Sequence, residues 1–281
     1  MIKSSSQKTN RLPFVLIFIS GLFVGAVTIY RNIAATLQFN PTGVILGSLF
    51  GLCYIVIFIY LFFLLKLLPS RYVLWLPAAI LWGSGTVTTL VYESGQGMRD
   101  LFPQLGLSIF AASFAGAWPE EIGKAVGVLL ILLSFRSLNK PWHGLVVGFF
   151  VGLGFTILED IGYGSVAGLL DPSSDVSGVV GVWMIRTLAG PAQHAVYSGI
   201  IGFGLGLALF SEGRYMRWRW VVAAAFFALG FGCHFLWNIS PESMAVSLVA
   251  MASAAVIGYG AFIYLAVKCY RENREMDSVG L

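Results

Sequence analysis

Residues 43–65 read GVILGSLFGLCYIVIFIYLFFLL, twenty-three consecutive positions without a charged side chain. About 20 apolar residues carry a helix across the roughly 30 Å hydrocarbon core of a bilayer, so this stretch is long enough to span one. Runs of the same kind recur between charged or Pro/Gly/Asn punctuation near 13–30, 43–65, 72–92, 103–135, 142–170, 178–211, 219–240 and 243–267, giving eight expected spans. Only 11% of the 281 residues are charged, against about 25% in a soluble domain. Hydrophobic residues make up 58% and the mean hydropathy is +0.84. A soluble globular protein is thereby excluded. The expected fold is all-α, a polytopic membrane helical bundle that forms one membrane domain over 1–281, with no linker or internal repeat to divide it.

Charge orients the spans. Eight crossings that start inside put Lys3, Lys8, Arg11, Lys66, Arg71, Arg136, Lys140, Arg214, Arg217, Arg219, Lys268, Arg271 and Arg274 on the cytoplasmic side, thirteen bases in all. The opposite side receives Arg31 and Arg99 with the acids Glu93, Asp100, Asp171, Asp175 and Glu242. Thirteen against two is the asymmetry of cytoplasmic loops, so both termini are expected in the cytoplasm, with the chain in the inner (plasma) membrane of the cell. The same rule accounts for the net charge of +4 and pI near 9.0 without a nucleic-acid partner. The first span also has the outline of a signal peptide ending at Val24-Gly25-Ala26; the expectation is that it is retained. Cys53, Cys233 and Cys269 are scattered and suggest neither a disulfide framework nor a zinc ribbon.

Six charged residues remain inside spans: Glu120, Glu121, Lys124, Glu159, Asp160 and Arg186. All fall in the fourth to sixth spans. Charge at membrane depth costs about 2.5–3.5 kcal/mol per residue on insertion scales, so these groups are expected to face one another or a water-filled cavity. In Trp118-Pro119-Glu120-Glu121-Ile122-Gly123-Lys124, the proline should kink the helix or begin a new half-helix, with both carboxylates in its first turn. Lys124 follows Glu120 by four residues and Glu121 by three, within reach of either. Adjacent acids in low dielectric suit general acid/base work, although a polar lock between helices would use the same residues.

Phe155, Glu159 and Tyr163 share one helical stripe, where the tyrosine hydroxyl could orient the carboxylate; Asp160 points about 100° away. Arg186, Gly190, His194 and Ser198 share a face, with Gly190-Pro191 breaking the helix just before His194. Arg186 either snorkels to the interface or pairs with a carboxylate. His234 and Asn238 stand four residues apart, whereas His143 beside Trp142 reads as interfacial. Cys233 points away from His234 and is not expected to be a nucleophile. A carboxylate to activate water, imidazoles to relay protons and an amide to hold an oxyanion are the parts needed for amide hydrolysis without a covalent intermediate. The alternative is a proton-coupled transporter or channel with the same groups as a relay. Two histidines and three glutamates could also ligate zinc. HExxH is absent and Lys124 brings positive charge, so a metal-free site is expected, with zinc at Glu120, Glu121, His194 and His234 as the less favoured alternative.

At these residues the chain resembles the PrsW family of intramembrane proteases, within the wider CAAX-protease superfamily of glutamate-type membrane endopeptidases. Glu120 to Lys124 is similar to the family's EExxK, Phe155 to Glu159 to its FxxxE, and His194 and His234 to its later histidines, the last in an HxxxN arrangement with Asn238. Tyr163 after Glu159 and Arg186 before His194 are also similar. The resemblance covers about 103–240. It implies that Glu120 or Glu121 activates water, that His194 or Glu159 assists, and that His234 with Asn238 holds the oxyanion. The substrates implied are membrane proteins, single-pass ones, cut within or just outside the bilayer on the non-cytoplasmic side. Asp160 departs from the pattern, where an amide is expected, and adds a charge the site must neutralise.

Topology is open to direct test. A fluorescent protein fused after Leu281 should fluoresce, and a cysteine at Ser173 should react with an impermeant maleimide applied from outside; the reverse pattern would contradict the charge reading.

Overall fold

The computed structural model describes residues 11–279, with side chains to Arg274. Lys3 and Lys8, counted above among the inner bases, lie outside the described residues. The helices are α1 (Leu12–Phe39), α2 (Pro41–Leu64), α3 (Tyr72–Leu81), α4 (Thr88–Gln104), α5 (Ala111–Ala115), α6 (Ala117–Ser134), α7 (His143–Leu170), α8 (Asp175–Ala189), α9 (Gln193–Phe210), α10 (Met216–Trp237) and α11 (Met244–Val279). A π-helical segment, Trp82–Val87, joins α3 to α4 into one helix of 33 residues.

Seven helices among the described residues are long and apolar enough to cross a membrane. The eighth crossing expected from sequence corresponds to α6, whose 18 residues carry Glu120, Glu121 and Lys124 and so fall short on apolarity. Helix limits differ from the sequence reading in several places. α1 runs on to Phe39 and α11 to Val279, the third apolar run continues as helix to Gln104, and the fourth opens with the five-residue α5 before α6 begins at Ala117. The sixth run is two helices, α8 and α9, parted at Gly190–Ala192.

The most hydrophobic helices are on the outside. Windows of α1 and α11 are only 11% buried, whereas α7 is 89% buried. In lipid there is no hydrophobic drive between helices, and small residues that let backbones approach replace it. Gly144, Gly148 and Gly152 of α7 lie against backbone carbonyls of Gly202, Ser198 and His194 in α9, so a Cβ at any of them would collide with main chain. The same antiparallel register continues across the break, with Gly178 of α8 against Ala167. On the other side of α7, Gly43, Gly47 and Gly51 of α2 pack on Ser165, Ile161 and Ile157.

The π segment is buried throughout. Its small residues sit under three neighbours at once: Gly85 against Gly25 of α1, Gly83 against the Val151 carbonyl of α7, and Trp82 donating from Nε1 to the Gly123 carbonyl of α6 at 3.0 Å. Such bulges recur at functional sites, and this one fixes the helix bearing Glu120 and Glu121.

Gly148→Leu should cost at least about 2 kcal/mol by forcing α7 from α9. Gly181→Leu, where a Cβ meets nothing within 4 Å, should be tolerated. Thermal unfolding in detergent compares the two; equal effects would refute the close-approach account.

Candidate active site

Three helix ends meet at one level. α6 and α9 each have 18 residues, about 27 Å of helix at 1.5 Å per residue, and both run from this level toward the basic loops. α10 returns from those loops and ends at Trp237 with Asn238 as its cap. Glu120 is in the first turn of α6, His194 is the second residue of α9, and His234 lies in the last turn of α10. The short helices α6 and α9 gather the two glutamates and His194 with Glu159 and His234.

Both helix starts are breaks in the backbone. Gly116 caps α6 with φ −100° and ψ −77°. Ala192 caps α9 in the left-handed region at φ 53°, a conformation that costs a non-glycine residue about 1–3 kcal/mol and clusters at functional sites. Non-helical backbone at membrane depth is tolerated only inside protein or beside a water-filled cavity. Here Tyr259 Oη donates to the Pro191 carbonyl at 2.9 Å and holds the second break.

Lys124 is the centre of the cluster. Its ammonium, with a fully buried side chain, lies 2.9 Å from Glu120 Oε2, 3.0 Å from Glu121 Oε1 and 3.2 Å from His194 Nδ1. The Phe155 ring closes the remaining side, 4.3 Å from Nζ to its centroid. An ammonium only donates, so His194 Nδ1 accepts and its Nε2–H is left to donate to Glu159 Oε2 at 3.1 Å. His234 Nδ1–H donates to Glu121 Oε1 at 2.8 Å, and its Nε2 accepts from Asn238 Nδ2 at 3.2 Å. Ser198 donates to the other Glu121 oxygen at 3.4 Å. Glu121 is therefore fully engaged, while Glu120 keeps Oε1 outside these bonds.

Arg186 answers its two alternatives in favour of pairing: the guanidinium bonds Glu159 and forms an ion pair with Asp160. The extra charge of Asp160 is neutralised in this way, and α8 is tied to α7. Tyr163 differs from expectation. Its ring lies under the Arg186 guanidinium, 4.9 Å from it, so it steadies the arginine rather than bonding Glu159. Four acids thus face two permanent cations, Lys124 and Arg186. Cys233 is buried and bonds no member of the cluster. His143 lies far from the cluster, accepting at Nδ1 from the Asn139 and Lys140 amides.

Glu120, Glu121, His194 and His234 each offer a ligand atom, all within 4.8 Å of one another, a donor set in which a metal would have the right chemistry. Lys124 competes for those donors. It uses lone pairs on three of the four donors, and a dication about 3 Å from an ammonium would meet repulsion on the order of 10 kcal/mol at an effective dielectric constant of 20. With Lys124 in place, the residues do not fit a resident divalent cation.

Two cavities reach the cluster. One of about 180 Å³ beside the α8–α9 break touches Arg186 and His194. Another of about 530 Å³, between α1, α4 and α7, touches Phe155 and Glu159. Sequence reasoning found every polar member of the cluster but missed Gly116, Ala192 and Trp82. For the first two the only signal was a nearby proline, Pro119 three residues after Gly116 and Pro191 just before Ala192.

The family model described as "PrsW family intramembrane metalloprotease" matches residues 71–267, which include the whole cluster. No curated protein and no solved structure matches the chain.

Arg186→Leu leaves buried Asp160 and half-buried Glu159 without their cation and should cost about 2–3 kcal/mol, below the full penalty of a buried pair because the guanidinium is partly exposed, whereas Asp160→Asn, which keeps the Glu159 pair, should cost less. Thermal unfolding in detergent measures both, and equal losses would place the stabilisation elsewhere.

Proposed function

The chain belongs to the PrsW family of intramembrane proteases, and from this premise we propose that it hydrolyses peptide bonds of membrane-protein substrates with a glutamate-activated water and no resident metal. One observation carries the reading. The position a Cβ would take at Gly116 lies 3.0 Å from Asn238 Nδ2, 3.2 Å from the Ala112 carbonyl oxygen and 3.3 Å from Glu120 Oε1. Glycine at 116 leaves the approach to Glu120 Oε1, the carboxylate oxygen outside the ion pairs, unobstructed beside Asn238. A water at hydrogen-bond distance from that oxygen, clear of the Gly116 Cα, stands as a nucleophile beside its base.

The steps follow from these partners. Glu120 removes a proton from the water as its oxygen attacks the carbonyl carbon of the substrate. Asn238, fixed by one N–H to His234, offers its second N–H to the oxyanion that develops. Glu120 then passes the proton to the departing amine nitrogen, and the tetrahedral intermediate collapses. Glu121 is the anchor of this arrangement, since it orients Lys124 and His234. His194, held between Lys124 and Glu159, keeps the charge around Glu120 balanced as the proton moves.

The orientation read from the basic loops puts this water near the non-cytoplasmic face of the inner membrane. A transmembrane substrate is accessible there once the end of its helix unwinds. Single-pass proteins, whose ends unwind without disturbing a bundle, suit such a site.

Membrane-protein fragments compared by mass spectrometry, in cells expressing wild type or Glu120→Gln at matched levels, test the reading. Fragments ending near transmembrane segments should vanish in the variant. On an isolated substrate, loss of the base should lower kcat about 10²–10⁴-fold. Gly116→Ala, whose Cβ would crowd Asn238 and Glu120 at 3.0 and 3.3 Å, should also lower kcat while the protein still inserts and folds. Identical fragment sets from all three would overturn the proposal.

A further inference from the structure

The largest cavity touching the cluster is walled by a helix that spans a gap. α1 is fastened to the π segment and α4 at Gly21, where the carbonyl accepts from Thr86 Oγ1 at 2.8 Å, and at Thr28, 2.7 Å from Thr89. It is fastened again at its end, where Asn40 Nδ2 donates to the Ser165 carbonyl of α7 at 2.8 Å. Between these points Asn32, Thr36 and Phe39 line the cavity of about 530 Å³ with α4 and α7 behind them. Tyr92, donating to Asn32 Oδ1 at 2.8 Å, is the bond that crosses from α4.

The cavity adjoins the proposed chemistry on two sides. Phe155 and Glu159 in its wall contact His194, the ring of Phe155 at 5.0 Å. Gly95, also in the wall, has its Cβ position 2.8 Å from the carbonyl of Ala115, the residue before Gly116. Arg99 lies one helical turn beyond Gly95, about 6 Å along α4. Arg99 lines the cavity, is exposed, and makes no hydrogen bond or ion pair among the described residues. Glu159 is committed to Arg186 and His194, and Asp100 to Gln96. A free guanidinium next to a cavity calls for a carboxylate.

A second, apolar groove continues from this one. It is lined by Ala26, Ile29, Ile33, Leu37 and Leu81, and Ile33 belongs to both. A groove on the lipid side leading to a polar cavity suits a membrane helix whose end has unwound, because unwound backbone needs polar partners. We propose that the α1–α4–α7 cavity binds the extended part of the substrate on the outer side of the cleaved bond, and that Arg99 selects chains with an aspartate or glutamate there. At about 3.3 Å per extended residue, the distance of about 6 Å from Gly95 to Arg99 puts that acid about two residues from the bond. The inference rests on the protease reading above and deepens it.

Fragment mass spectrometry of cells expressing wild type, Glu120→Gln or Arg99→Glu at matched levels separates the two ideas. Fragments that depend on Glu120 should carry Asp or Glu within that distance of the cut. In Arg99→Glu they should fall by about tenfold, a loss equal to roughly 1.4 kcal/mol, and cuts flanked by Lys or Arg should appear. Because Arg99 holds nothing together, the variant should insert as wild type does. Substituting Ala35, another residue of the wall, as Ala35→Trp should lower the same fragments by filling the cavity. Glu120-dependent fragments without acidic flanks, unchanged by Arg99→Glu, would overturn this inference and mark Arg99 as a membrane-interface residue, leaving the protease intact. Absence of any Glu120-dependent fragment would instead overturn the protease reading itself.

Discussion

A buried ammonium held by two carboxylates and an imidazole is the constraint on which this molecule is built. Lys124 has no exposure, and its three partners come from two helices. Breaking such a group by removing one member leaves an unpaired charge at membrane depth, a loss of about 3–5 kcal/mol where it has been measured for buried pairs. The rest of the fold serves to bring those partners together without lipid contact. Glycines of α7 let α9 approach closely enough to deliver His194. The buried π segment fixes α6 through Trp82 and Gly123. Arg186, steadied by Tyr163, completes the charge balance from the far side of Glu159.

The two backbone breaks have a common logic. At Gly116 and at Gly190–Ala192 the chain stops and restarts as helix, and each new first turn presents a side chain to the cluster. A continuous helix would have carried Glu120 and His194 along a wall; a helix start brings both to Lys124. Here the strained Ala192 and the tolerance for irregular backbone both follow from protein, rather than lipid, surrounding the break.

Much of this was legible in the sequence. Apolar runs gave the helices, because charge and length decide membrane spans with little help from tertiary context. The i, i+4 spacing of Glu120 and Lys124, and of His234 and Asn238, put each pair on one face, and the structure joins both pairs. What sequence could not decide was partnership across helices. Arg186 had equal reason to snorkel or to pair, and only the α7–α8 register brings it to Glu159 and Asp160. Tyr163 was on the right stripe with the wrong partner. The π segment had no signal, since Trp82 to Val87 continues an apolar helix without proline or charge. The α8–α9 break was visible in Gly190-Pro191, but the left-handed residue proved to be Ala192, which nothing in its chemistry favours.

The central claim is that Lys124 competes for the donors that a metal would need. Metal analysis of the purified full chain, with peptide-bond cleavage measured before and after a strong chelator, tests it most directly. The account predicts far less than one zinc per chain and unchanged cleavage. In Lys124→Met, where the four donors are free of the ammonium, zinc binding should rise while cleavage is lost. One zinc per chain in the wild type, removed by the chelator together with activity, would contradict it.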